Sequence, residues 1–249
     1  MAADFKVLEL KIFVLVFTLI STSAVAAVLD SPTLQLPLRP KAPRVALTFD
    51  ACSGKVDSRI LNVLVASRIK STLFVTGRWL KRNPAAISII AAHPDLFEIE
   101  NHGARHLVAI DWPTRTFGVK SAGSPTALAA EVEGGASIIK ATFGHMPTWF
   151  RGATAAYSKT SEQHIATLGY RIAGFNRLGD GGAMYSKSRT AEAFAQAQDG
   201  DVIIAHINQP LRPAGAGVIL GIAALKARGF EFVTLNEGFG AQALHFIGH

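Results

Sequence analysis

Two histidines separated by three residues, His102 and His106, are the side chains of this sequence best suited to hold a metal ion. Neutral imidazole nitrogens bind divalent ions at about 2.0 to 2.1 Å, and Gly103 favours a tight loop that brings both rings to one ion. Ordinary core or surface histidines show the same spacing. The position of the pair at the end of a predicted strand, beside Asn101, which could orient a ligand, favours the metal-binding interpretation.

Asp50 and His206 are the candidates for proton transfer, because each follows a strongly apolar segment. Residues 45–49 have the composition of a buried strand, and a charge at the end of such a strand is costly unless it faces a cleft, a metal or a cation. His206 follows the apolar residues 202–205. An imidazole with its ordinary pKa near 6.5 exchanges protons readily at neutral pH, although a hydrogen-bonded core histidine is the alternative.

Two further charged residues could support this pair. Arg151 could pair with Asp50 and hold the carboxylate ionised. Asp180 could orient and charge His206, but its setting between glycines, in Gly179-Asp180-Gly181-Gly182, equally predicts a simple turn.

Strand-like and helix-like segments alternate from residue 44 onwards, which predicts an α/β fold. We expect a parallel sheet that is closed or nearly closed into a barrel, with the helices outside it. Barrel enzymes place their chemistry at the carboxyl ends of the strands, so Asp50, His102, Arg151 and His206 are expected to converge on one face. The predicted strands cover residues 45–49, 71–75, 97–100, 149–151, 170–175, 202–205 and 230–235.

Composition sets the broad class of the protein. With 249 residues, 49% of them hydrophobic and 17% charged, the chain favours one large folded domain and excludes general disorder. The net charge of +7 suits an anionic polymer or surface. Lys and Arg are not clustered with aromatic residues, so we expect no nucleic-acid partner. Cys52 is the single cysteine, which excludes an internal disulfide.

The first 26 residues have the order of a secretory signal peptide. Two lysines precede the apolar residues 12–20, and the small residues Ala24-Val25-Ala26 follow. Because no charge occurs from residue 12 to residue 29, an uncleaved membrane anchor is the alternative. Cleavage after Ala26 predicts an exported protein, periplasmic or secreted, with no stable membrane insertion.

The rest of the chain divides into three parts. Residues 27–43 predict an extended N-terminal arm, because four prolines occur between residues 31 and 43. Residues 44–237 form the predicted catalytic domain, and residues 238–249 form a C-terminal tail.

In its motifs the chain resembles the polysaccharide deacetylases of the NodB-homology family, also called carbohydrate esterase family 4. The family has five motifs. They are Thr-Phe-Asp-Asp-Gly, a pair of histidines four residues apart, Arg-x-Pro-Tyr, a loop that contains an Asp, and an apolar strand that ends in Leu-x-His. The third motif is matched only in part. The matching segments, in motif order, are Thr48-Phe49-Asp50-Ala51-Cys52-Ser53-Gly54, the pair His102 and His106, Arg151-Gly152-Ala153, Asp180, and Ile204-Ala205-His206.

The resemblance covers residues 44 to about 237 and implies a distorted (β/α) barrel of the NodB-homology type with about seven parallel strands. It implies a divalent metal, zinc before others, bound by His102 and His106, with Asp50 as the candidate third ligand. It also implies a hydrolase of non-peptide amide bonds that removes acetyl groups from an N-acetylated polysaccharide. In such enzymes the residue matching Asp50 is the base and the residue matching His206 is the acid, with Arg151 and Asp180 completing the catalytic set.

One departure from the family bears directly on the metal site, because the second Asp of the first motif is Ala51 here. Asp50 itself could bind the metal, Cys52 could bind it as a thiolate, or water could fill the position. A buried inert thiol is an equal alternative for Cys52. In the third motif, residues 152–156 replace a Pro-aromatic turn, which alters the expected wall of the substrate groove.

The leading hypothesis is an exported, metal-dependent deacetylase of an N-acetylhexosamine polymer, with peptidoglycan ahead of chitin-like chains. Two alternatives come from other classes. One is a catalytically silent sugar-binding barrel that lost its metal when Ala51 arrived. The other is a related amidohydrolase that acts on a small amide.

Overall fold

A computed structural model describes residues 29–39 and 42–240. The predicted signal peptide, residues 1–26, lies outside the described residues, and so do residues 241–249 of the predicted tail. Within the described part of the chain, no helix has both the length and the apolar character needed to cross a membrane.

The core of the protein is one curled parallel sheet, which confirms the predicted α/β barrel architecture. The seven predicted strands are all present, and a short additional strand, β8, lies at one edge. The strands of the sheet are β1 (Arg44–Ala51), β2 (Ser71–Val75), β3 (Phe97–Asn101), β6 (Trp149–Phe150), β7 (Arg171–Ile172), β8 (Arg177–Leu178), β9 (Val202–His206) and β10 (Glu231–Val233). Their order is β7-β6-β3-β2-β1-β9-β8, with β10 also paired to β1, and every pairing is parallel.

Helices cover the outside of the sheet, as predicted, and most begin at a polar N-cap residue. Asp57, Ser124, Ser158 and Ser186 each accept a hydrogen bond from a first-turn backbone N–H. The helices are α1 (Ser58–Ala66), α2 (Gly77–Arg82), α3 (Pro84–Ala91), α4 (Pro125–Phe143), α5 (Lys159–Thr167), α6 (Lys187–Ala195), α7 (Ala214–Ala227) and α8 (Leu235–Phe239).

Besides β8, two short helices and one short hairpin were not predicted from the sequence. Helices α2 and α8 have only six and five residues, too few to show an apolar period. The strands β4 (Arg115–Thr116) and β5 (Val119–Lys120) form a small antiparallel hairpin before α4.

Strand β1 separates the two apolar layers of the fold. Val45, Leu47, Phe49 and Ala51 belong to the outer cluster between the sheet and the helices. The alternate residue Ala46 belongs to the inner cluster, inside the curl of the sheet. The side chains of residues 48 and 50 therefore also face inwards.

The order of the described strands runs from β7 to β8 without pairing these two strands to each other, so the sheet is a curled, open barrel. Residues of the N-terminal arm pack near this opening. Gln35 forms a β-bridge with Asp201, and the backbone N–H of Leu36 donates to the Gly200 carbonyl. The Leu36 side chain is buried in the inner cluster, which helps to close the lower end of the barrel.

Candidate metal and catalytic site

The carboxyl ends of four strands bring the predicted site residues together. Asp50 on β1 is the register partner of His206 on β9. Asn101 on β3 is the partner of Phe150 on β6, so His102 and Arg151, the residues that follow them, are also neighbours. Because all four strands run parallel, these side chains lie at one edge of the sheet.

Arg151 holds the Asp50 carboxylate in the interior of the protein. Its Nη1 lies 2.9 Å from Asp50 Oδ1 and also donates to the Thr48 hydroxyl. The rest of the buried guanidinium donates to the carbonyls of Ala173 and Gly174. This leaves Asp50 Oδ2 without a bond to the arginine.

The electrostatic surroundings keep Asp50 ionised. Burial by itself raises the pKa of the carboxyl, but the neighbouring imidazole of His102, the positive charge of Arg151 and the imidazole of His206 outweigh it and lower the pKa below its usual value. Asp50 is therefore a carboxylate at neutral pH, with one oxygen anchored and one oxygen free to accept a proton.

The orientation of His102 is fixed by a backbone carbonyl. Its Nδ1 lies 2.6 Å from the carbonyl oxygen of Arg151, and since a carbonyl only accepts, Nδ1 carries the proton and donates it. In the neutral form of the ring, the opposite nitrogen, Nε2, carries a lone pair, and it lies 3.7 Å from Asp50 Oδ2 and 3.6 Å from Cys52 Sγ. This is the tautomer that a metal-binding histidine needs.

The loop from His102 to His106 is held by Glu131 on α4, a residue that the sequence analysis did not single out. The Glu131 carboxylate is buried, and its Oε1 accepts from the backbone N–H groups of Arg105 at 2.8 Å and Leu107 at 3.0 Å. These bonds bracket His106, whose backbone has a positive φ of 65°. The signal in the sequence is a charged residue on the apolar face of α4.

Close packing against α4 completes the support of this loop. Asn101 donates to the Val132 carbonyl and accepts from the N–H of Gly103, so it orients the loop rather than binding in the site itself. A Cβ atom at Gly135 would lie 2.2 Å from Asn101 Oδ1. The glycine is therefore needed for the helix to approach β3 closely.

His206 is paired with Asp180, as the sequence analysis suggested. The Asp180 carboxylate accepts from the His206 backbone N–H at 2.7 Å and lies 3.0 Å from His206 Nδ1. Burial alone would lower the pKa of His206, but the charge of Asp180 raises it well above the usual value. His206 is thus held protonated, with Nε2 directed away from Asp180.

Cys52 lies among the histidines of the site. One sulfur and two ring nitrogens, from Cys52, His102 and His106, lie within 4.8 Å of one another, and the two rings have their centroids 5.0 Å apart. Burial raises the pKa of the Cys52 thiol, but contacts with the surrounding imidazoles lower it well below its ordinary value. Imidazole nitrogens and a thiolate are donors that zinc and related ions accept, so these residues fit a metal centre.

The segment that replaces the Pro-aromatic turn of the third family motif has a strained backbone. Thr154 and Ala155 have positive φ values of 64° and 50°, in a short 3₁₀ turn after Arg151. The Tyr157 hydroxyl accepts from the Gly152 N–H at 2.8 Å and steadies the turn. Strain of this kind persists where the surrounding structure over-determines it, often beside functional sites.

A groove of about 830 Å³ lies near the loop that carries His106, and none of the predicted site residues lines it. Arg105 and Leu107, which flank His106, form part of its wall, and the β4–β5 hairpin and the start of α4 form the rest. Arg105, Arg115 and Lys120 line it, with no acidic side chain among the lining residues. The groove therefore favours ligands that carry negative charge.

Comparisons with known proteins agree on one family. The family model described as polysaccharide deacetylase matches residues 38–173. A bifunctional xylanase/deacetylase from Pseudobutyrivibrio xylanivorans is 26% identical over 202 residues, which cover 81% of this chain and 31% of that protein. The chain thus spans about a third of the length of this relative.

Two solved structures have the same fold. A family 4 acetyl xylan esterase from Clostridium thermocellum, solved with a cobalt ion, is 26% identical with a TM-score of 0.62, covering 78% of this chain and 88% of that one. The peptidoglycan deacetylase PdaC from Bacillus subtilis is 21% identical with a TM-score of 0.62, covering 80% of this chain and 91% of that one. At 21% identity, the likeness to the peptidoglycan deacetylase shows the fold alone.

Proposed function

The chain belongs to the polysaccharide deacetylase family of hydrolases, and from this premise we propose that it is a metal-dependent enzyme that removes acetyl groups from N-acetylhexosamine residues of a polysaccharide. The observation that carries the proposal is the grouping of Asp50 and His206 around the pair His102 and His106 at one edge of the sheet. A base, an acid and metal donors are the parts that amide hydrolysis requires.

His102 and His106 are the residues that would hold the metal. A divalent ion bound there supplies a Lewis acid for the acetamide carbonyl and makes a bound water more acidic. Asp50 acts as the base, because its Oδ1 is fixed by Arg151 at 2.9 Å while Oδ2 stays free to accept the proton of the attacking water. Arg151 keeps this carboxylate ionised and in place.

His206 acts as the acid that protonates the leaving amine. An amine is a poor leaving group unless it gains a proton as the carbon–nitrogen bond breaks. Asp180 holds the Nδ1 side of His206 and favours its charged form, so the Nε2 proton is available to the substrate. Asp180 is thus a positioning residue for the acid.

The groove beside His106 supports peptidoglycan as the substrate ahead of neutral chitin-like chains. Peptidoglycan carries carboxylates on its peptide stems, and the cations Arg115 and Lys120 would attract them, whereas Arg105 already pairs with Glu131. The predicted export signal in residues 1–26 agrees with a substrate outside the cytoplasm.

A second candidate is hydrolysis of acetyl esters on xylan. It is favoured by the two relatives with 26% identity, a xylanase/deacetylase and an acetyl xylan esterase. The two candidates share the machinery but differ in the leaving group. An alkoxide departs more easily than an amine anion, so ester hydrolysis depends less on His206.

The test is acetate release from peptidoglycan, chitin oligosaccharides and acetylated xylan by metal-loaded protein. We expect release from peptidoglycan, and a loss of roughly 10² to 10⁴-fold in kcat for Asp50→Asn and for His206→Gln. Asp95→Asn and His145→Gln change exposed residues away from the site and serve as matched controls. Unchanged release in both site variants would overturn the assigned roles. Glycan binding without acetate from any polymer would favour the silent sugar-binding barrel.

The groove has its own test. Arg115→Glu and Lys120→Glu should raise KM for peptidoglycan with little change in kcat, because they repel the anionic substrate without touching the reacting groups. The KM for chitin oligosaccharides should stay unchanged. Lys140→Glu, at the other end of α4, is the charge-matched control. An equal rise of KM for the neutral and the anionic substrate would remove the electrostatic argument for peptidoglycan.

A further inference from the structure

The direction of the side chains along β1 shows that position 51 does not face the metal site. Ala51 pairs with Val75 as the last residue of the strand, is fully buried, and packs in the outer cluster with Phe49. Asp50 faces the opposite side, towards Arg151. In this backbone a donor for a metal beside His102 cannot come from position 51.

Cys52 reaches the site that Ala51 does not. Its sulfur lies 3.6 Å from Nε2 of His102, the nitrogen whose lone pair is left free by the bond between Nδ1 and the Arg151 carbonyl. In a tetrahedral zinc site, a sulfur at about 2.3 Å and a nitrogen at about 2.0 to 2.1 Å from the ion are separated by about 3.6 Å. The spacing of the two atoms therefore matches one edge of such a site.

His106 supplies a third donor atom close to those of Cys52 and His102. Donor atoms of Cys52, His102 and His106 all lie within 4.8 Å of one another. Asp50, by contrast, has its Oδ1 engaged by Arg151, a buried cation. A carboxylate that already has a cationic partner is better suited to act as the base than to be the anionic ligand of the metal.

We propose that Cys52 is the third protein ligand of the metal, so that two imidazoles and one thiolate form the centre and Asp50 is left as the base. This deepens the proposed function by naming the class of metal. Thiolate and imidazole donors select Zn²⁺ or Co²⁺ over Mg²⁺ and Mn²⁺, which prefer oxygen.

The test uses Co²⁺ as a spectroscopic probe of metal-free protein. We expect one equivalent of Co²⁺ to produce a near-ultraviolet thiolate-to-cobalt charge-transfer band, absent from Cys52→Ser and retained in Asp50→Asn. The zinc affinity of Cys52→Ser should fall by more than the roughly 10- to 100-fold that loss of an outer-shell partner costs. Stoichiometric Co²⁺ binding without the band, or a Cys52→Ser variant that binds zinc as the parent does, would overturn the proposal.

A second measurement uses the unaltered chain and does not depend on the folding of a variant. Because Cys52 is the single cysteine, the rate of its reaction with a thiol reagent reports on this residue alone. We expect Zn²⁺ to slow the reaction and a chelator to restore it, while Mg²⁺ has no effect. Equal reactivity with and without bound zinc contradicts the ligand role.

The two proposals fail separately. The cobalt band without acetate release from any polymer would support the ligand role of Cys52 and refute the deacetylase function. Acetate release by a protein that binds Co²⁺ without the band would support the function and refute the ligand role.

Discussion

Asp50 and His206 are register partners at the carboxyl ends of the adjacent parallel strands β1 and β9. Each has a charged partner of its own, Arg151 for the carboxylate and Asp180 for the imidazole. The first partner lowers the pKa of Asp50, and the second raises the pKa of His206. The base is thus kept deprotonated and the acid protonated over the same range of pH, as a division of roles between them requires.

The Asp180→Asn variant should reveal this coupling in the pH dependence of the rate. An asparagine can still accept from the His206 backbone N–H, but it no longer supplies the negative charge that raises the pKa of the imidazole. The pKa of His206 then falls, so the acid loses its proton at lower pH. We expect the alkaline limb of the kcat profile to move to lower pH.

The measurement is kcat against pH for the parent and the variant, with Asp95→Asn as the exposed control. A lower kcat with an unmoved alkaline limb would show that Asp180 does not set the protonation of His206.

Much of this site could be predicted because strands of a parallel sheet end on one side. Asp50, His102, Arg151 and His206 each lie at or directly after the end of a strand, so their convergence required only the order of the strands. Asp180 was predicted as a partner of His206, with a simple turn as the alternative, and the structure places it against His206. The roles of these residues stay predictions.

Contacts between distant segments could not be predicted in the same way. Glu131 binds the backbone of Arg105 and Leu107 across a separation of more than 20 residues, and nothing in the local pattern names its partners. The orientation of Ala51 and Cys52 was equally open, because it depends on whether β1 continues through position 51. Because β1 includes position 51, the Ala51 side chain faces the helices and the Cys52 side chain faces the histidines.

The Glu131→Gln variant tests the support of the metal-binding loop. A neutral amide oxygen accepts more weakly than a carboxylate from the N–H groups of Arg105 and Leu107, so the backbone around His106 loosens. We expect zinc affinity to fall by roughly 10- to 100-fold, as for other losses of outer-shell partners. Isothermal titration calorimetry measures the change.

Glu133→Gln provides the matched control, because Glu133 lies exposed on the same helix and its substitution removes the same charge. Equal zinc affinities for the two variants would mean that Glu131 does not position His106.

The Arg151→Met variant tests the buried ion pair. It leaves the Asp50 carboxylate buried without its main cationic partner, and breaking such a pair costs about 3 to 5 kcal/mol in free energy of unfolding. Adding Asp50→Asn should recover part of this loss, because the uncompensated charge disappears. Urea denaturation of the two single variants and the double variant gives the coupling energy. Strictly additive losses would show that the two side chains do not stabilise each other.

Glu100 should make the stability of the protein fall as the pH rises. This buried residue on β3 accepts from the backbone N–H groups of Thr148 and Trp149, yet burial and then the nearby Glu98 raise its pKa from 4.5 to about 8. Between these values the native state keeps a proton that the unfolded chain has lost. The free energy of unfolding therefore decreases with rising pH, by at most about 1.4 kcal/mol per unit, and levels off above the native pKa.

The Glu100→Gln variant should reduce this slope, because its amide can still accept from both N–H groups but does not titrate. His206, whose pKa is also raised, keeps its own contribution. Urea denaturation at several pH values between about 4.5 and 8, with a chelator present to exclude metal binding, measures the dependence. Glu231→Gln, an exposed change on β10, should keep the slope of the parent. If parent and Glu100→Gln lose stability equally over this range, Glu100 is ionised in the native protein and burial does not hold its proton.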